Sequence, residues 1–412
     1  MSRHFILAGI VTITLFFDNS FIQPVLSQVV KDKKPLNSAA FIQSAPLGNA
    51  RYRIHHDKTL HVAFLGGSIT NMTGWRGNVS AYLQARYPDA KITCINAGIP
   101  SLGSLPHVFR LKNDVLDKGR IDLLLIESAV NDHVNGTPQL IQQRALEGII
   151  RHARTANRYM DIVLMAFADE DKMADYRNGK IPAEVGVHAA MATRYHLPFI
   201  NLAEEVTRRI DNGEFTWEND FKDLHPSPFG QELYFNTIRQ LLEKQLSGKA
   251  PRQLTTYALP RPADVVNYSQ GDYLPVNTAI QLQDFIQEAN WHPSDKTPTR
   301  EGFTNVPMLV GEKAGASFEL PFDGDAVGVS VISGPDAGMI QYRIDDGPVQ
   351  TRDLYTQWSA SLHLPWYLLL GDGLTPGKHH LWMRIAPEKN AASTGNACRI
   401  VHFLVNECQK SR

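Results

Sequence analysis

Cysteine is scarce in this chain: three residues among 412, at Cys94, Cys398 and Cys408. So few exclude a disulfide framework of the kind that holds small secreted folds together. Cys398 and Cys408 flank a stretch that reads as a strand, and ten extended residues span roughly 30 Å. A disulfide needs Cα atoms only ~4.4–6.8 Å apart. We therefore expect three free thiols, with Cys94 a small apolar residue inside another strand. An excess of charge is missing too. The formal net charge is −1, which recommends neither a nucleic acid nor an anionic membrane as partner. Metal-ligand spacings such as His-x-x-x-His or paired Cys-x-x-Cys are absent, so no metal and no cofactor is expected. There is no internal repeat and no low-complexity tract.

Long apolar runs are almost lacking. The one that stands out, residues 5–17, is too short for a comfortable membrane span. Arg3 and His4 form a polar start before it, and Val25-Leu26-Ser27 offers a small-residue cleavage site before Gln28. These features predict a signal peptide over residues 1–27 and a secreted or periplasmic protein with no integral span once it is removed. No cysteine follows the run, which excludes a lipoprotein anchor.

What is present is the composition of a globular protein, 43% hydrophobic and 20% charged, enough to bury cores without disulfides or metals. The length suits two or three domains. Residues 28–57 show no sustained period and read as a linker and lead-in. From residue 58 to 247 short apolar runs alternate with helical stretches. The runs are 61–65, 91–96, 121–128, 161–167 and 198–202. The helical stretches fall near 76–86, 105–116, 138–157, 182–195 and 228–246, three of them starting at proline, whose missing N–H is no loss there. Nearly wholly apolar strands alternating with helices predict a parallel five-stranded sheet covered on both faces, in a flavodoxin-like three-layer α/β/α arrangement.

Residues 248–261 lose the period and gather proline and basic residues, which marks a linker. Beyond it, residues 262–408 carry short strands at 316–320, 326–333, 338–344, 378–385 and 398–405, with Asp345-Asp346-Gly347 and Pro376-Gly377 as turns. That pattern predicts an all-β sandwich of jelly-roll type. Its aromatic residues, notably Trp291, Tyr355, Trp358, Trp366 and Tyr367, either stack on sugar rings or fill the sandwich core.

The chemistry is expected where the parallel strands end, because ligands bind at that edge of an open α/β sheet. In HVAFLGGSIT, residues 61–70, a buried strand runs into Gly66 and Gly67, and Ser68 follows as a candidate nucleophile. The next two strands deliver Gly98 and Asn131 to the same edge. An acyl-transfer site needs donors aimed where the oxyanion forms, and Ser68 N–H, Gly98 N–H and the Asn131 amide are such donors. His225, between Asp223 and Pro226 just ahead of the last helix, is placed to act as base. Asp223, or failing that Asp220, would orient its ring. Trp75, Arg76 and Glu127 lie close by and are read mainly as packing or loop-holding residues, and His107 and His133 as structural histidines.

Four blocks of the chain, Gly66-Gly67-Ser68-Ile69-Thr70, Asn96-Ala97-Gly98, Val130-Asn131-Asp132 and Asp223-Leu224-His225-Pro226, resemble the signature blocks of the SGNH hydrolases, also called GDSL esterases and lipases. The resemblance covers roughly residues 58–247. It implies that Ser68 is the nucleophile, that Gly98 and Asn131 complete the oxyanion hole, and that His225 is the general base. It implies a metal-free ester hydrolase, often acting on acetyl groups of carbohydrates. Three positions depart from the pattern. Gly67 replaces an aspartate, without touching an expected role, and Ala129 replaces a glycine. The triad acid is usually three residues before the histidine, where this chain has Lys222, so Asp223, Asp220 or a bare Ser–His dyad must serve. The function expected is an exported serine esterase removing acyl, chiefly acetyl, groups from a carbohydrate. The alternatives are an acyltransferase or atypical glycan hydrolase with the same site, or a glycan-binding protein on a decayed scaffold.

Overall fold

The computed structural model describes residues 34–408, so the expected signal peptide lies outside the described residues. β1 (Ile42–Gln43) and α1 (Gly48–Tyr52) precede the first long strand, β2 (Thr59–Gly66). There follow α2 (Ser68–Asn71), α3 (Trp75–Arg86), β3 (Lys91–Gly98), α4 (Ser104–Asp114), β4 (Leu123–Glu127), α5 (Ala129–Val134) and α6 (Gln139–Ala156). β5 (Asp161–Ala166), α7 (Glu170–Arg177), α8 (Ala183–Tyr195), β6 (Phe199–Asn201), α9 (Leu202–Asp211) and α10 (Pro228–Leu246) complete an α/β domain.

The sheet runs β1-β6-β5-β4-β2-β3. Five strands are parallel, as expected, and β1 adds an antiparallel edge by pairing Ile42 with Ile200. β4 and β5 are buried at every position because helices cover both faces, which is why they read as unbroken apolar runs. Among the helices of eight or more residues, two give no clear signal in the sequence. α7 (EDKMADYR) buries only Lys172, Met173 and Tyr176, too few apolar positions to show a period. It is held instead by its cap, where Asp169 accepts the Lys172 N–H at 2.8 Å. α9 starts directly at the end of a three-residue strand, with no loop to announce it.

Residues 35–57 differ from the expected lead-in. Leu47, Ala50 and Ile54 are buried in the α/β core. Asn49 is 2% exposed; its amide donates to Tyr159 O and Thr255 O, and its Oδ1 accepts the Thr255 N–H at 2.7 Å. Residues 248–261, expected as a free linker, are thereby stitched along the domain.

The second domain is antiparallel β. Its strands are β7 (Gly271–Leu274), β8 (Ile280–Gln283), β9 (Phe285–Glu288), β10 (Met308–Gly311), β11 (Ser317–Ser333), β12 (Met339–Ile344), β13 (Gln350–Asp353), β14 (Leu364–Gly371), β15 (Gly377–Ile385) and β16 (Cys398–Glu407). β11 is the spine, and it joins two strands expected separately. Its first half pairs with β15 as far as Gly324, and its second half pairs with β14 and β16 across bulges. Pro321, between those two expected strands, is tolerated because among the described residues the opposite edge of β11 has partners in β8 only at Ser317 and Glu319.

The two domains share a core. Tyr268, Ala326, Tyr367 and Leu404 belong to the same buried apolar cluster as the α/β sheet. Around it Arg144 binds Asp264 at 2.7 Å and also Asp372, and the Tyr268 hydroxyl donates to Asp372 at 2.9 Å. Cys398 is buried, Cys94 and Cys408 are half-buried, and all three are free thiols.

Candidate active site

β2 and β3 pair in parallel with Gly66 opposite Gly98, so both strands end at the same level. The chain turns at Gly67 and enters α2 at Ser68, whose N–H, in the first helical turn, has no intrahelical acceptor. Ser68 Oγ lies 2.8 Å from His225 Nε2. That contact joins residues 157 apart in sequence and is solvent-open, with half of the His225 side chain exposed.

His225 rides on a braced loop. The Ser227 N–H donates to Phe221 O at 2.8 Å, the Ser227 hydroxyl donates to Asp220 O, and Ser227 also caps α10. Lys222 has φ 89° and ψ −65°, a strained backbone for a residue with a side chain. This kink turns the chain so that the next residue, Asp223, meets the histidine. Asp223 Oδ1 accepts the His225 backbone N–H at 2.5 Å and stands 3.8 Å from Nδ1, which is ion-pair distance and too long for a hydrogen bond. Asp220 is turned away. Its Oδ2 accepts the Thr216 N–H at 2.8 Å and the Thr216 hydroxyl at 3.0 Å, and these bonds hold its carboxyl below the usual range.

Asn131, in the first turn of α5, is 8% exposed, and its carboxamide has no hydrogen-bond partner among the described residues. It packs against Gly67 so closely that a Cβ there would lie 2.0 Å from Asn131 Oδ1. The replacement of aspartate by Gly67 therefore does touch the site: it makes room for the amide. Gly98 is brought to the same edge, but its N–H is engaged, donating to Asn96 Oδ1 at 3.0 Å. A Cβ at Gly98 would sit 2.4 Å from Asn71 N, so glycine there serves close backbone packing. Ser101 was not singled out from the sequence. It adopts φ 72° in the turn after β3, where the Leu102 N–H donates to Ile99 O and Asn135 Nδ2 donates to Ser101 O at 2.9 Å. Pro100 ahead of it was the available turn signal.

Around this crevice sit buried ionisable groups. Glu127 bridges the Val130 and Phe167 N–H groups at 3.1 and 3.4 Å, and burial pushes its carboxyl up to about 7. It holds loops, as expected. Burial likewise pushes Asp132 up to about 7, although its Oδ1 accepts from the Ser104 N–H and hydroxyl. His107 is fully buried, and burial together with Arg110 depresses its pKa far below the usual value. Burial lowers His133 as well, yet the Asp171 and Glu184 carboxylates beside it produce a net rise. Trp75 is a core residue packed edge-on to Phe64 and Phe167, while Arg76 Nε donates to Thr70 O at 3.0 Å and holds the α2 backbone. Among the described residues no group of three or more His, Cys, Asp or Glu is placed to hold a metal ion, and no helix is long and apolar enough to cross a membrane.

Residues 64–233 match the model of the GDSL-like lipase/acylhydrolase family. The match spans the α/β domain from β2 into α10 and supports an ester hydrolase of the GDSL, or SGNH, type. No curated protein matches the chain. Among solved structures, a two-domain esterase active on acetylated mannans superposes with TM-score 0.74 at 20% identity, covering 91% of this chain and 100% of that one. The same esterase co-crystallised with mannopentaose gives TM-score 0.69 at 20% identity, covering 90% and 97%. The two-domain fold of this chain thus recurs in that esterase.

Between them, beside Asn71 and Gly98, lies a cavity of about 840 Å³. Arg300, Phe303, Tyr273, Tyr367 and His402 line its β-domain side. Of the aromatic residues expected either to stack on sugars or to fill the core, Trp291 and Tyr367 are buried, whereas Tyr355, Trp358 and Trp366 are half-buried.

Proposed function

We propose that this chain removes O-acetyl groups from a polysaccharide through an acyl-enzyme formed on Ser68. The observation that carries the reading is the 2.8 Å approach of Ser68 Oγ to His225 Nε2 beside the unpartnered Asn131 amide. His225 takes the Ser68 proton as Oγ attacks the ester carbonyl, then gives it to the departing sugar oxygen. Water repeats the sequence with His225 as base, which releases acetate and restores the serine. Ser68 N–H and the Asn131 amide meet the oxyanion, and Gly98 N–H joins only by exchanging its bond to Asn96. Asp223 supports the imidazolium electrostatically from 3.8 Å. The open exposure of His225 favours hydrolysis over transfer, since water reaches the base directly.

The mannan esterase that shares this two-domain architecture makes an acetylated mannan the first polymer to test. The cavity between the domains has room for sugar units leading to the crevice. A polymeric substrate agrees with export directed by the signal peptide read over residues 1–27. The test is release of acetate from acetylated mannan by the full chain and by Ser68→Ala. The native chain should release acetate and the variant none; equal release by both would overturn the mechanism.

A further inference from the structure

α4 carries a guanidinium that the mechanism above does not use. Arg110 is 0% exposed, an expensive place for a permanent cation. Its NH2 group donates to the carbonyls of Gly66, at 3.2 Å, and Ala97, at 2.6 Å. Those carbonyls close β2 and β3, immediately ahead of Gly67-Ser68 and of Gly98. Asp114, one turn along the same helix, orients the fork through NH1 at 2.7 Å. The same face of α4 reaches the third loop of the crevice. His107 Nδ1 lies 2.9 Å from Ser128 Oγ, and Ser104 binds Asp132, next to Asn131. The opposite face is pinned by the β-domain. Phe109 stacks on Tyr268, Lys112 pairs with Asp272, and a Cβ at Gly271 would come within 3.3 Å of Val108 O.

We propose that Arg110 is a positioning residue for the nucleophile turn: its guanidinium clamps the Gly66 and Ala97 carbonyls and so fixes where the Ser68 hydroxyl and N–H stand. The proposal rests on the hydrolytic reading of that turn. The planar fork matters because one nitrogen spans two carbonyls while a second is held by Asp114, a geometry that a lysine ammonium does not reproduce. The charge matters as well. The guanidinium faces two strand-end carbonyl oxygens and offsets their partial negative charge beside the nucleophile turn. The β-domain thereby supports the chemistry indirectly, by holding α4.

The experiment compares Arg110→Lys and Asp114→Asn with the native full chain. It measures steady-state kinetics on p-nitrophenyl acetate and a thermal melt. A displacement of the serine by an ångström costs on the order of 10²-fold in rate. Folded Arg110→Lys should therefore lose about that factor in kcat with KM little changed, and Asp114→Asn should show a smaller fall in the same parameter. A folded Arg110→Lys with near-native kcat overturns the proposal, as does an effect confined to KM or to melting temperature. If Arg110→Lys does not fold, Asp114→Asn decides, and near-native kcat there overturns it. A native chain inactive on the ester overturns the hydrolytic reading along with this one. An active native chain with unaffected variants overturns the role of Arg110 alone.

Discussion

At the scale of single residues, groups that act in the transition state are distinct from groups that only bind. Asn131 has a free amide beside the nucleophile and no structural bond to lose. Asn131→Ala should lower kcat by ~10²–10³ with little change in KM, read from steady-state rates on a soluble acetyl ester; a change in KM alone would remove it from the oxyanion hole. Among the described residues Asp223 makes its only hydrogen bond with the His225 backbone N–H. Asp223→Asn should therefore cost clearly less in kcat than His225→Ala, and equal losses would show a full triad acid. Ser68, Asn131 and His225 were legible because each follows a strand or precedes the last helix at the sheet's ligand edge. Gly67 was not, because its importance lies in an absent side chain opposite a residue 64 positions away. Arg110 gave no signal either: an arginine in an amphipathic helix reads as a solvated charge, and only the packing reveals it buried.

Among the elements, the strand ends carry the informative detail. β4 finishes in Glu127, whose carboxylate ties the start of α5 to the end of β5. Its carboxyl is pushed up to about 7 by burial, so the folded state binds a proton that the unfolded chain has already released near pH 5 to 7. Stability from this group is full below the unfolded pKa and is lost as pH rises through about 7, by roughly 3 kcal/mol. Glu127→Gln keeps an oxygen acceptor without the charge. Its melting temperature relative to the native chain should rise from pH 5 to pH 8 and level off above; a pH-independent difference would contradict this. The parallel strands and the helices α3, α4, α6, α8 and α10 were legible from period and proline position. α7 and α9 were hidden by sparse apolar spacing and by the lack of a loop. The long β11 was expected as two strands, 316–320 and 326–333, because a sequence does not show which strand edge goes unpaired.

For the whole molecule, the boundary legible at residues 248–261 is a change of fold class and not a seam. The buried cluster runs from the sheet through α4 and α6 into Tyr268, Tyr367 and Leu404. A chain ending at Ser247 should lose its cooperative melt and its turnover of small esters together, because the faces of Val108, Phe109 and Gly148 would be left bare. Circular dichroism and ester kinetics on that truncation check this; a truncation that melts sharply and turns over a small ester at the native rate would make the domains independent. The proposed mechanism stands on Ser68 being a nucleophile activated by His225. The most direct measurement is labelling of the full chain with a fluorophosphonate, with the modified residue located by mass spectrometry. One adduct is expected, on Ser68, absent in Ser68→Ala and strongly slowed in His225→Ala. An unlabelled native chain, or an adduct elsewhere that survives Ser68→Ala, would contradict it.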